Sequence, residues 1–140
     1  MTMSTRPRRR RRRGLAAAEL AVTLPFLVFT AVATCDFARC MYVAETVQNC
    51  ARNGAMYAAY STAPNLGPDD LYTNVTQAAA ADASNLDSSK ITSSSTTGTD
   101  ANGNSYVQVT VSYPFTTIMS YPGIPSSMTI SRTVKMAVTP

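Results

Sequence analysis

LAAAELAVTLPFLVFTAVATC, residues Leu15 to Cys35, carries a single charge, Glu19. From Leu20 onward sixteen residues pass without another. As a helix rising about 1.5 Å per residue those sixteen cover about 24 Å, and the whole stretch about 31 Å, the thickness of a bilayer core. The stretch therefore reads as a transmembrane helix over 15–35, and Pro25 within it predicts a bend of the kind membrane helices tolerate. Residues 1–14, MTMSTRPRRRRRRG, form a basic leader in front of it: Arg6 with Arg8, Arg9, Arg10, Arg11, Arg12 and Arg13 supplies seven of the chain's twelve cations. So dense a block of like charge repels itself and is expected to be disordered until it meets an anion. Arginines ahead of a span hold the N-terminus in the cytoplasm and send the rest of the chain outside. From Gly14 on, five basic residues face eight acidic ones, so the body is mildly acidic. With no aromatics among the arginines and no basic face elsewhere, the leader points to topology and anionic headgroups rather than to a specific nucleic acid.

Downstream of the span the helical text continues. DFARCMYVAETVQNCARNGAMYAAY, Asp36 to Tyr60, holds no proline and one glycine. Cys40, Val43, Val47, Cys50, Ala51, Gly54 and Ala58 fall on one helical face by steps of three and four, with Glu45 and Arg52 opposite, which predicts an amphipathic extension of the same helix over 36–60. Its apolar stripe shrinks from Val to Ala and Gly toward the far end, where another element can approach closely.

Residues 61–140 are left for a small extracytoplasmic α+β region. APNLGP, Ala63 to Pro68, is a break, and Pro68-Asp69-Asp70 reads as the start of a short helix over Asp69 to Ala83. Asn74-Val75-Thr76, a glycosylation-type triplet, would fall inside that helix. Ser84 to Thr99 reads as a loop or a weak edge strand near Ile91, and Asp100-Ala-Asn-Gly-Asn as a turn. Val107, Val109, Val111 and Tyr113 alternate with Gln108, Thr110 and Ser112, the period of a half-buried strand. Pro114 to Ser127 reads as a long connection. Thr129 to Val138 is a last strand, with Ile130, Val134, Met136 and Val138 inward and Arg132 marking an edge. The fold class is α+β: a long N-terminal transmembrane-to-periplasmic helix packed on a small antiparallel sheet. Two or three such strands would not be stable without the helix.

Composition bears on chemistry. The chain has no histidine, which removes imidazole acid–base catalysis and His-ligated metals. Serines, threonines and cysteines have no imidazole to activate them, and about 80 residues of loop-rich body hardly form a catalytic cleft. No catalytic residue, cofactor, metal ligand or small-molecule substrate is expected. Asp100, Asn102 and Asn104 alternate as in a calcium loop, but Ser105 stands where such a loop needs glycine and no acidic residue follows, so a hairpin turn is the simpler account. Cys35, Cys40 and Cys50 lie five and ten residues apart, about 8 Å and 15 Å along a helix, beyond disulfide reach. They read as small apolar filler, with a bridge between two molecules as the alternative.

The junction of leader and span is where function concentrates. Arg13-Gly14 is followed by four apolar residues, Glu19 and then the apolar helix, the form of a prepilin processing site. Cleavage between Gly14 and Leu15 would remove the arginines and leave a new amine on Leu15, one turn from Glu19. A membrane-embedded Glu19 could pair with the terminal amine of a neighbouring subunit and set the register of helices packed side by side. Alternatively Glu19 rests at the inner interface beside Arg13 and the helix N-terminus, where the dipole favours an anion.

Arg12 to Ala59 resembles the TadE-like family of tight-adherence (Flp) pilus systems. The resemblance is carried by Arg13-Gly14, Ala16 to Glu19 and Leu24-Pro25, then by Tyr42-Val43, Gln48-Asn49, Ala51-Arg52-Asn53-Gly54-Ala55 and Tyr57-Ala58-Ala59. Leu20, Asp36, Cys40 and Cys50 depart from the family's pattern. The resemblance implies a minor pilin or pseudopilin, single-pass in a bacterial inner membrane. Its partners would be the lipid bilayer, other pilin-type subunits, the pilus assembly machinery and a prepilin peptidase. A different class is also open: a secreted or membrane-anchored extracytoplasmic protein with an ordinary export signal and a binding role. Ala31-Val32-Ala33 would then be the cleavage site, or Cys35 a lipid anchor.

Overall fold

The computed structural model describes residues 9–62 and 71–138, with side chains from Gly14 onward. Arg8, the break at 63–68 and the Pro68-Asp69-Asp70 helix start lie outside those residues. Helix α1 runs Arg9–Thr62 and helix α2 Val75–Ala81; a single 3-10 turn, Ser88–Lys90, leads into strand β1, Thr92–Thr99, followed by β2, Ser105–Thr116, and β3, Ser127–Ala137. The three strands form one antiparallel sheet in the order β1-β2-β3. This is the α+β arrangement expected. The chain divides into two compact units, Met1–Phe37 and Ala38–Pro140.

In the first unit the backbone is helical from Arg9, so residues 9–13 are not the disordered leader expected of them. Arginine is a good helix former, and a helix already nucleated downstream extends at little cost. Pro25 removes one backbone N–H, yet the helix passes through it. Asp36, placed at the start of the amphipathic extension, is buried and is not without a partner.

In the second unit the expected stripe is the core. Val47, Cys50, Ala51 and Ala55 of α1 are fully buried, and they cluster with Val107, Val109 and Val111 of β2, Ile91, Phe115 and Ile130. The alternation read in β2 is the observed one, since Val107, Val109, Val111 and Phe115 are buried while Gln108, Thr110 and Ser112 are half-buried. The opposite face of the sheet is held by hydroxyls, Thr110 to Thr133 at 2.8 Å and Ser112 to Ser131 at 2.6 Å. The Asp100 turn is as expected: Asp100 accepts from the backbone N–H groups of Asn102 and Asn104 at 2.9 and 2.8 Å, and Gly103 takes a φ of 85°.

Three of the differences from the sequence reading have a local physical cause. Helix α2 starts at Val75, not at Asp69: Asn74 caps it, its side chain accepting from the Gln77 N–H at 2.8 Å, while the Gln77 side chain accepts from the Thr73 N–H. Asn74 is therefore the cap and not an interior residue. Strand β1 is a full eight residues, TSSSTTGT, mostly exposed, and Ile91 just precedes it. Strand β2 continues through Pro114 to Thr116, so the connection shrinks to 117–126. The proline is tolerated for a geometric reason. Val138 N donates to Ser105 O and Thr117 N to Ser126 O, so odd-numbered residues of β2 aim their backbone at β3. Pro114 aims the other way, where β1 has already ended opposite Ser112.

Candidate functional site

The first unit presents its apolar side chains outward. Leu15 is 65% exposed, Val22 77% and Phe26 68%, with Leu20, Leu24, Leu27 and Val28 also exposed. The segment is long and apolar enough to cross a membrane, and none of its most apolar window is buried. Its hydroxyls are folded back onto the helix. Thr23 donates to the Glu19 carbonyl at 2.9 Å, Thr30 to the Leu27 carbonyl at 2.9 Å, and Thr34 to the Thr30 carbonyl at 2.8 Å. Each such bond gives the hydroxyl a partner on its own helix, which suits a hydrocarbon environment.

Gly14, Leu15 and Glu19 all lie in α1. A Cβ built on Gly14 would meet nothing within 4 Å. Leu15 and Glu19 are four residues apart and so share one helix face, one turn from each other. Both are exposed, and Glu19 is the only charged side chain between Gly14 and Cys35. A new amine on Leu15 would therefore begin the helix with an anion in its first turn, the position the dipole favours. The Gly14–Leu15 bond is helical, whereas proteases bind extended chain. Cleavage there would need local unwinding, which no side-chain packing at Gly14 opposes.

The second cluster lies on the far half of α1, in Ala38–Pro140, where the shrinking stripe predicts a close approach; the part played by Asn53 and Tyr57 was not foreseen. Asn53 donates its side-chain amide to the Ala78 carbonyl of α2 at 2.9 Å. Tyr57 donates its hydroxyl to the Tyr72 carbonyl at 3.0 Å and packs edge-on against the Tyr72 ring, centroids 6.2 Å apart. Between them Gly54 lets two elements close in, since a Cβ there would sit 3.3 Å from Ala79 Cβ, 3.3 Å from Val109 Cγ1 and 3.4 Å from Val75 Cγ1. Asn53, Gly54 and Tyr57 thus dock α2 and β2 onto α1. A hydrogen-bonding side chain four residues before a tyrosine, flanking a glycine on an alanine-rich face, was the available signal.

All three cysteines are free: Cys35 exposed, Cys40 half-buried and Cys50 buried. Cys50 is core filler, as read, and burial pushes its thiol pKa up, with the Asp82 charge adding to the effect. Among the described residues no group of three or more cysteines and carboxylates is placed to hold a metal ion. A cleft of about 480 Å³ lies between the start of this half of α1 and the end of β2, lined by Arg39, Tyr42, Lys90, Tyr113 and Phe115 among others.

No curated protein and no solved structure matches the chain. A family model does match, over a segment that starts at Gly14, takes in Glu19 and reaches through the Asn53-Gly54 docking point, under a third of the 140 residues. With one such apolar helix among the described residues, near the N-terminus, the molecule fits a single-pass membrane protein. The matching family is that of the TadE-like proteins, over residues 14–56, the family the sequence resembles, and the match supports a Tad pilus-associated protein.

Proposed function

We propose that the protein is a TadE-like minor pilin, or pseudopilin: a membrane-anchored structural subunit of Flp pilus assembly or secretion, without enzymatic activity. The observation that carries this reading is the division of labour along α1, whose first part exposes apolar side chains while its second part is the spine of a folded body. An exposed oily rod with one carboxylate near its head is suited to packing among like helices in lipid. In this reading the N-terminus is cytoplasmic, the body extracytoplasmic and the membrane the bacterial inner membrane. A prepilin peptidase cuts between Gly14 and Leu15, and Glu19 pairs with the Leu15 amine of an adjacent pilin-type subunit. That pairing offsets the cost of holding either charge in lipid.

The test is Glu19→Gln, which keeps size and helix propensity and removes the charge. Membrane insertion should be unchanged, while recovery with partner pilins and pilus assembly should fall by tenfold or more. Normal assembly by this variant would remove the pairing role.

A further inference from the structure

Strand β3 is an open edge of the sheet: the order is β1-β2-β3, and among the described residues no strand pairs with β3 on its far side. The other edge has a neighbour, since α2 packs beside β1 and Thr76 Oγ1 meets Ser93 Oγ at 2.8 Å. What β3 offers follows from the register. Odd-numbered residues of β2 turn their backbone toward β3, and opposite Val109, Val111 and Tyr113 stand Val134, Arg132 and Ile130. The even-numbered residues of β3 therefore complete the ladder, while Ser127, Thr129, Ser131, Thr133, Lys135 and Ala137 aim their N–H and C=O groups away from the sheet. All of these are exposed. The strand has 11 residues with neither proline nor bulge, so the edge is about 36 Å long.

The core side of β3 is also incompletely covered. Ile130 is buried, but Val134 and Met136 are only half-buried and Met128 is exposed. Arg132 stands on this side, opposite the fully buried Val111, and is itself exposed. Its guanidinium donates to the Ser131 carbonyl at 3.0 Å, one of the outward-facing acceptors, which places the cation on the edge itself. No carboxylate among the described residues pairs with it. Lys135 lies on the other side of the sheet, its ammonium 3.5 Å from the centre of the Tyr106 ring.

Arg132 selects the occupant. A second copy of β3 would bring two more cations, and no acidic residue occurs anywhere after Asp100. Like charges set side by side disfavour that pairing. A strand with a carboxylate opposite Arg132 meets the reverse, and apolar side chains two residues to either side of that carboxylate would lie on the same face, over Ile130 and Val134. We propose that the β3 edge receives an extended acidic segment of a partner protein as a fourth strand, of the pattern apolar-x-acid-x-apolar, with the carboxylate against Arg132. The edge lies wholly within Ala38–Pro140, so its use does not depend on what the first unit does.

The test uses the full chain in detergent micelles, labelled with nitrogen-15 and followed by amide hydrogen exchange. The probe is a capped nine-residue peptide of threonines with valine, glutamate and valine at its third, fifth and seventh positions, run beside versions with glutamine or lysine in place of the glutamate. Without peptide the N–H groups of Ile130, Arg132, Val134 and Met136 should be protected, and those of Thr129, Ser131, Thr133 and Lys135 should not. The glutamate peptide should slow exchange at the second set tenfold or more. It should bind about threefold more tightly than the glutamine form, with the lysine form weaker still. Arg132→Gln should erase the preference among the three. Thr133→Pro, which removes an outward donor and no ladder bond, should abolish the effect while the first set stays protected. No change at the second set with any peptide, or an unchanged effect in Thr133→Pro, would overturn the docking edge. An equal response to all three peptides would overturn the acidic assignment. Protection of the second set without peptide would also overturn the proposal, in favour of a second copy if it fades on dilution and of cover from within the chain if it persists.

Discussion

Replacing Gly54 by leucine tests whether the close approach at that point holds the body together. A Cβ at 54 would already stand 3.3 Å from Ala79 Cβ and 3.3 Å from Val109 Cγ1, and Val109 and Ala79 are fully buried with no room to retreat. For alanine two effects oppose. Helix propensity favours the change by about 1 kcal/mol, and overpacking costs about 1–3 kcal/mol. The net is a loss of about 1 kcal/mol, a factor of several in the opening equilibrium. Leucine brings three more carbons into the same gap, where the propensity gain is unchanged and the overpacking passes the upper end of that range, for a net loss of about 3 kcal/mol. The assay is the labelling rate of Cys50, which is fully buried and so reacts only when the body opens. Cys35 and Cys40 are replaced by serine and the protein is held in detergent. At about 1.4 kcal/mol per tenfold, Gly54→Ala should label up to tenfold faster and Gly54→Leu at least a hundredfold faster. A Gly54→Leu variant labelling within threefold of its parent would refute the packing argument.

The tyrosine hydrogen bond at the end of the docking face should matter less. Tyr57→Phe keeps the ring contact with Tyr72 and loses one donated bond, for about 1 kcal/mol in the same labelling assay. On the exposed face of the sheet, a Cβ on Gly98 would stand 2.7 Å from the Tyr106 Cζ, and the Lys135 ammonium lies 3.5 Å from the centre of that ring. Gly98→Ala should lift the ring off the strand, and the ring-current shift of the Lys135 ε-protons should collapse in NMR spectra. The turn carboxylate gives a pH dependence. Hydrogen bonds from Asn104 and Asn102 hold the Asp100 carboxyl below its ordinary 3.8, so the turn's stabilisation is present above that value and is lost as pH falls through the lower, folded one. Amide exchange at Asn104, corrected for its intrinsic pH dependence, should lose protection below about pH 3.8, and Asp100→Asn should abolish that step.

How much of this could be read beforehand depended on whether a residue's environment leaves a periodic trace. Val43, Val47 and Cys50 bury one helix face, and Val107, Val109 and Val111 one sheet face, so both elements announced themselves. Strand β1 did not, because none of its side chains is fully buried: Thr92 to Thr99 is held by backbone pairing to β2 and by Thr76 reaching Ser93 at 2.8 Å, and such a strand needs no apolar alternation. Pro114 stopped the reading of β2 early, since the side of the strand it faces is known only once the sheet order is. Asp69 and Asp70 drew the start of α2 away from Asn74, whose cap is a single side-chain contact to Gln77. At the candidate site, Gly14, Leu15 and Glu19 were legible as a spacing, and the structure adds that they sit in continuous helix with Leu15 and Glu19 a turn apart. The close approach at Gly54 was legible in the shrinking stripe, but the hydrogen bonds of Asn53 and Tyr57 were not, because they depend on which carbonyls of a distant segment come to meet them.

What becomes of the chain's first fourteen residues, and where the remainder resides, decides between a processed pilin-like subunit and an ordinary exported protein. N-terminal sequencing and intact mass of the protein extracted from the membranes of a bacterium that makes Flp-type pili test this most directly. The predicted result is a carbonate-resistant membrane species beginning at Leu15. A protein recovered from the soluble fraction with Met1 or Thr2 still at its head, or one beginning at Thr34, would contradict it.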